Sequence, residues 1–219
     1  MTKELIHYIA QKYWDVRSAD RKKVFKGEIK INTIVATLQK KHVQIAIGRY
    51  NGDEIIFILG SNEFMDWMYN LSFPLMKTPY KGSNKKIKMH RGFYKSYLLI
   101  REDMHKIIKD RKKIIIMGQS FGAAIATIMA LDFQYNFPSL EIECMTTGSP
   151  RVGNGALAAS YDKRVPATTR YVYGHDIVPL VPFGGWGFKH VGLLIKLGKR
   201  GFFPSVKNHL FNKGYLKEL

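Results

Sequence analysis

The sequence predicts an α/β fold: one domain spanning residues 1–219, with a single, mostly parallel central sheet flanked by helices. Three observations carry this reading. Short apolar runs alternate with segments of helical periodicity along the chain. An Asn51-Gly52 pair divides two of the apolar runs, and both residue types tolerate the positive φ of a tight hairpin turn. A glycine-flanked serine, Gly118-Gln119-Ser120-Phe121-Gly122, separates an apolar run from an Ala-rich helical segment.

Taken in order, Leu5 to Val16 carries Leu5, Ile9 and Trp14 at helical spacing and predicts an N-terminal helix. Lys22 to Asn32 is basic and shows no clear period. Val43–Ile47 and Ile55–Leu59 are the two hairpin strands. Asn62 to Leu71 predicts a short helix capped by Asn62, with a large apolar surface from Phe64, Met65, Trp67 and Met68. Phe73 to Met89 reads as a loop. Gly92 to Asp110 reads as one helix, with Phe93, Tyr97, Ile100, Met104 and Ile108 on one side. Ile114–Met117 is a buried strand, Phe121–Tyr135 a helix, and Ile142–Thr146 another strand. Val152–Asp162 predicts a helix, Arg170–Tyr173 a strand, Lys189–Ile195 a further strand, and Lys207–Leu219 a closing helix. No repeat, low-complexity segment or linker interrupts the chain.

Composition narrows the function classes. Apolar residues make up 46% and charged residues 24%, ordinary for a globular domain. No run of eighteen apolar residues provides a transmembrane helix. The start, Met1 to Tyr8, lacks the apolar stretch of a secretory signal, and the single cysteine, Cys144, rules out an internal disulfide. These features favour a cytoplasmic protein. The formal net charge is +18, with 35 Lys and Arg against 17 Asp and Glu. Clusters at Arg21-Lys22-Lys23, Lys85-Lys86-Ile87-Lys88, Arg111-Lys112-Lys113 and Lys199-Arg200 suit an anionic lipid or membrane surface as partner, although scattered lysines also make an ordinary solvated face. No zinc-finger, RNA-recognition or helix-turn-helix pattern points to nucleic acid. No metal-ligand cluster or cofactor motif is present, and the expected chemistry uses none.

That chemistry follows from Ser120. A serine on a sharp strand-to-helix turn is the nucleophile elbow of the α/β-hydrolase architecture. The flanking glycines let strand and helix approach closely. The helix start offers N–H groups to a developing oxyanion. A serine hydroxyl needs a base, and the base needs an orienting carboxylate, in the chain order Ser, acid, His. Asp176 follows the strand Arg170–Tyr173 at the sheet edge where such folds place chemistry, which makes it the best acid. His175 is adjacent to it in sequence and poorly placed; spacing alone leaves both His209 and His190 as candidate bases, with His209 favoured.

Several ordered motifs resemble the class 3 lipase family, the fungal triacylglycerol lipase type. Gly60-Ser61, Asp66-Trp67 and Asn70-Leu71 are similar to one family block, and His90-Arg91-Gly92-Phe93 to another. Thr147-Gly148-Ser149-Pro150-Arg151-Val152-Gly153-Asn154 is the most specific match, followed by Asp176-Ile177-Val178-Pro179 and Asn208-His209-Leu210-Phe211. The resemblance runs from about residue 43 to the end. It implies that Ser120, Asp176 and His209 are nucleophile, acid and base, with His190 a non-catalytic strand histidine. It implies an oxyanion hole from Ser61 and the N–H of Phe121. It also implies a lid at Asn62–Leu71, with Phe64, Met65, Trp67 and Met68 covering the pocket in water. Leu59 stands where the family has Arg, and Gln119 where it commonly has His. Three readings follow: a hydrolase of lipid esters, a carboxylesterase on soluble short-chain or aromatic esters, or a non-catalytic module for anionic membranes.

Overall fold

The computed structural model describes residues 1–26, 30, 33–60, 74–80 and 86–219. The chain opens with α1 (Lys3–Ser18), where the Thr2 hydroxyl accepts from the Leu5 N–H as an N-cap. Its buried stripe is Ile9, Ala10, Tyr13 and Val16. The basic stretch that followed without a period contains a short helix, α2 (Arg21–Phe25), capped by Asp20.

Three antiparallel strands come next: β1 (Ile34–Lys40), β2 (Val43–Tyr50) and β3 (Asp53–Ile58). The β2–β3 turn is the expected one, with Asn51 at φ 49° and Gly52 at φ 90°. Strand β1 has no counterpart in the sequence reading. It is the sheet edge, several of its side chains are exposed, and its pairing with β2 slips near Ile34, so no clean alternation marks it.

The segment expected to be a loop holds two short strands, β4 (Leu75–Lys77) and β5 (Lys88–His90). The long helix expected over Gly92–Asp110 is two helices, α3 (Arg91–Leu98) and α4 (Arg101–Ile108). At the break the hydrogen bonds tighten to the i−3 carbonyls: Leu99 N–H donates to Ser96 and Ile100 N–H to Tyr97. No Gly or Pro marks this junction, and its apolar residues continue the helical period straight across it.

Strand β6 (Lys113–Gln119) runs into α5 (Phe121–Asn136), then β7 (Glu141–Thr147). The helix expected from Val152 starts later. Strand β8 (Gly153–Asn154) precedes α6 (Gly155–Arg164), and Asn154 caps it by accepting from the Leu157 N–H. Strand β9 (Thr168–Tyr173) follows. The single strand expected at Lys189–Ile195 is two, β10 (Phe188–Lys189) and β11 (Leu193–Leu197), separated by Gly192 at φ 72°. The closing helix is shorter than expected. Two 3₁₀ turns at Lys207–His209 and Phe211–Lys213 lead into α7 (Tyr215–Glu218). A Cβ on Gly214 would overlap the Tyr173 ring, and the chain bends out of helical geometry there, with Gly214 at ψ −58° and φ −142°.

The main sheet has the order β1-β2-β3-β6-β7-β9-β11, antiparallel among the first three strands and parallel from β3 onward. A second, small antiparallel sheet, β10-β8-β5-β4, joins the loops and was not anticipated. Both faces of the main sheet are covered over its central strands, β3, β6 and β7, as parallel strands require, while the edge strand β11 is exposed. Along β6 the side chains alternate between two cores. Ile114 and Ile116 face the core under α3, α4, α5 and α6, and Ile115 and Met117 face the core under α1 and α7. Helix α5 is buried from Phe121 to Phe133, so it is apolar all round. Its one buried acid, Asp132, is held by Tyr97 Oη at 2.7 Å, His105 Nε2 at 2.6 Å and Arg101 Nε at 3.1 Å. Cys144 lies fully buried, and burial pushes its thiol up to about 12, so it is inert at neutral pH.

Candidate active site

The parallel run of β6, β7 and β9 brings three C-terminal strand ends to one edge of the sheet. Ser120 follows β6, Gly148 follows β7, and Asp176 lies three residues beyond β9.

Ser120 is 4% exposed and sits at φ 60°, ψ −125°. A non-glycine residue in this region stores about 1–3 kcal/mol of strain, held by the surrounding packing. Its N–H donates to the Thr147 carbonyl at 3.0 Å, and its carbonyl accepts from Ala123 N–H as α5 begins. The elbow glycines are needed for close approach. A Cβ on Gly118 would overlap the Gly122 carbonyl, and one on Gly122 would overlap the Ile58 carbonyl at the end of β3. Phe121 is the first residue of α5, so its N–H is among the four that a helix leaves without an intrahelical acceptor.

Asp176 and His209 are in direct contact. His209 Nδ1 lies 2.9 Å from Oδ2 and 3.0 Å from Oδ1 of Asp176. A carboxylate accepts, so Nδ1 carries the hydrogen; in the neutral imidazole Nε2 then keeps its lone pair. Asp176 is fixed by two further donors, the Val178 N–H to Oδ1 at 2.9 Å and Tyr215 Oη to Oδ2 at 2.6 Å. Sequence reasoning missed Tyr215. Its only signal was an aromatic residue in the segment after His209.

Gln119 ties this pair to the elbow. Its Nε2 donates to the His209 carbonyl at 2.8 Å, and its Oε1 accepts from Tyr13 Oη at 3.3 Å. Gln119, which stands where the family commonly has His, thus couples the histidine loop to β6 and α1. Gly148 closes the arrangement from β7. At φ 54° it packs so tightly that a Cβ would stand 2.6 Å from Asp176 Oδ2 and 2.8 Å from His209 Nδ1. Gly148→Ala is therefore expected to push the imidazole out of place. A misplacement of about 1 Å costs about 100-fold. The check is kcat beside the thermal midpoint, with both expected to fall.

Ser61, expected in the oxyanion hole, lies outside the described residues, as do Phe64, Met65, Trp67 and Met68 and the whole expected lid. The chain leading to them is placed. A Cβ on Gly60 would be 3.4 Å from Ser120 Cβ, and the Gly60 carbonyl accepts from Arg17 Nη1 at 2.8 Å. A guanidinium from α1 thus reaches this loop where Leu59 supplies none.

His190 is spent elsewhere: its Nε2 donates to the Pro179 carbonyl at 2.8 Å. Burial, with Arg170 and Arg151 adding repulsion, pushes it down to about 3. The unfolded chain takes this proton near 6.5, the folded one only near 3. The resulting stability is complete above about pH 6.5 and drains away below it, by up to about 1.4 kcal/mol per pH unit. His190→Gln is expected to flatten the fall of the urea midpoint between about pH 6 and 4; an unchanged slope would refute this.

The family model for class 3 lipases matches residues 55–186. The chain belongs to the class 3 lipase family. A lipase of Rhizomucor miehei is 30% identical over 158 residues, which cover 67% of this chain and 42% of that protein. A secreted mono- and diacylglycerol lipase A of Penicillium cyclopium is 30% identical over 154 residues, 67% of this chain and 48% of that one. A chloroplastic phospholipase A(1), DAD1, of Arabidopsis thaliana is 27% identical over 168 residues, 68% and 37% of the two chains. This class 3 lipase chain thus spans less than half the length of these curated relatives. Among solved structures, the native Rhizomucor miehei lipase propeptide complex superposes with a TM-score of 0.74 at 25% identity, covering 90% of this chain and 70% of that one. The lipase II of Rhizopus niveus does so with 0.75, at 24% identity and 92% and 83% coverage, which shows a shared α/β-hydrolase fold.

Proposed function

We propose that this class 3 lipase chain hydrolyses carboxylic esters of lipids, acylglycerols or phospholipids, through an acyl-enzyme on Ser120. The observation that carries the reading is the Asp176–His209 pair at the sheet edge where the strained Ser120 turn ends β6. The Ser120 hydroxyl attacks the ester carbonyl while His209 Nε2 takes its proton. Asp176 holds the Nδ1–H tautomer and stabilises the imidazolium. The Phe121 N–H, with Ser61, stabilises the oxyanion. His209 then protonates the leaving alcohol, and water attacks the acyl-enzyme to release the fatty acid and restore Ser120. No separate cofactor enters this scheme.

The substrate class is supported by what the relatives are called: lipases, a mono- and diacylglycerol lipase and a phospholipase A(1). No helix among the described residues is long and apolar enough to cross a membrane. The proposed partner is a lipid ester presented at a surface. The test is the release of fatty acid from emulsified diacylglycerol and from phosphatidylcholine vesicles, beside p-nitrophenyl butyrate below its aggregation threshold. A rate that rises when substrate aggregates supports the lipid reading. Turnover of soluble esters alone assigns a carboxylesterase. Vesicle binding without any turnover assigns a non-catalytic module.

A further inference from the structure

A cavity of about 210 Å³, lined by Asp176 and by residues of β9 and β11 but by none of the elbow, opens at the β11 edge of the sheet. It is smaller than the pockets that hold drug-sized ligands, which run from about 300 to 1,000 Å³, and it suits a small head group. The strand register builds its floor. Arg170 pairs with Leu194 and Val172 with Lys196, so these four side chains share one face of β9 and β11. Arg151, His175, Asp176, His190 and Arg200 add to the polar lining. Four lining residues carry permanent positive charge, and one, Asp176, carries negative charge. The Asp176 oxygens are already taken by His209, the Val178 N–H and Tyr215.

Arg170 is the deciding residue. It is 8% exposed, and its Nε is buried with no hydrogen-bond partner among the described residues. Buried charges are ordinarily paired, and a guanidinium left without an acceptor is costly. Burial, with Arg151 adding repulsion, pushes Arg170 down to about 10, so it stays charged at neutral pH. Arg151 offers no relief: its Nη1 is committed to the Leu180 and Pro182 carbonyls. His190 Nε2 is committed to Pro179. What the cavity lacks is an anion.

We propose that this cavity binds a phosphate group, held by Arg170 from the floor and by Lys196 and Arg200 from the open side. Donors converging from several directions suit a tetrahedral oxyanion better than a planar carboxylate. The rim indicates where the phosphate comes from. Leu180 and Leu194 border the cavity and are exposed, and Phe202 and Phe203, 92% and 75% exposed, directly follow the Arg200 segment. The His175 ring fixes that segment to the rim through the Gly201 carbonyl at 3.0 Å. A phosphate site edged by exposed aromatic and aliphatic side chains matches a phospholipid head group with its chains alongside. The proposal is independent of the hydrolase reading, because it is measured as binding.

The test uses the full chain with three probes: inorganic phosphate, glycerol 3-phosphate, and phosphatidylcholine vesicles with and without phosphatidic acid. Acetate at equal ionic strength is the control. Saturable binding of either soluble phosphate is expected, weakened at least tenfold by the surface pair Lys196→Gln/Arg200→Gln. Lys106→Gln, at an exposed position of α4 outside the cavity lining, should leave it unchanged. Arg170→Met should also abolish the effect; if it does not fold, the surface pair decides. A phosphatidic-acid dependence of vesicle binding that the surface pair removes assigns a lipid source. Binding of the soluble phosphates with vesicle binding unaffected assigns a free phosphate. Acetate binding as well as phosphate overturns the proposal. So does the absence of soluble phosphate binding together with vesicle binding that ignores the surface pair.

Discussion

Ser120→Ala is expected to lower ester turnover by about 10⁴–10⁶-fold, the range seen when a triad nucleophile is removed. The substitution deletes one buried hydroxyl and keeps the backbone bond from the Ser120 N–H to Thr147. Alanine meets the same φ 60° strain as serine, so the thermal midpoint should move by only a few degrees, of order 1 kcal/mol or less. The measurement is kcat on p-nitrophenyl esters beside a melting curve. More than a tenth of the original turnover in a folded variant would remove Ser120 from the mechanism.

Asp176→Asn is expected to cost about 10⁴-fold in kcat while leaving the fold intact. The carboxylate accepts from three donors: His209 Nδ1, the Val178 N–H and Tyr215 Oη. An amide keeps one acceptor oxygen and replaces the other with an NH₂ donor. If that NH₂ faces the ring, Nδ1 becomes an acceptor and the hydrogen moves to Nε2, which can then no longer take the Ser120 proton. If it takes the Oδ1 place instead, it opposes the Val178 N–H, which can only donate, across a 2.9 Å contact. Either arrangement removes the negative charge that stabilises the imidazolium. The check is a kcat loss approaching that of Ser120→Ala with KM nearly unchanged. A loss under about tenfold would mean that another group orients His209.

The elements legible in the sequence were those whose local signal and tertiary role agree. Asn51-Gly52 specifies its turn by φ alone. The β6–Ser120–α5 unit announces itself because close packing of strand, turn and helix admits only glycine at 118 and 122. The position of Asp176 after a strand was enough to select it among the later acids. What escaped depended on distant partners. Strand β1 exists because β2 offers it an edge, and its own residues alternate poorly. The break between α3 and α4 lies inside an unbroken apolar period, and no capping residue marks it. Gly192 splits β10 from β11 through a positive φ that a lone glycine in a strand-like run signals only weakly. Tyr215 and Gln119 reach the Asp176–His209 pair through hydrogen bonds to residues 39 and 90 positions away, a relation that no spacing rule exposes. The choice between His209 and His190 needed the family pattern; in the structure the first meets Asp176 and the second is held by Pro179.

In the proposed mechanism the Ser120 oxygen is made nucleophilic by His209. Reaction of the full chain with a fluorophosphonate, followed by mass mapping of the adduct, tests it most directly. One adduct is expected, on Ser120, formed at a rate that His209→Ala lowers by orders of magnitude. An adduct on another residue, or labelling of Ser120 that His209→Ala leaves equally fast, would contradict it.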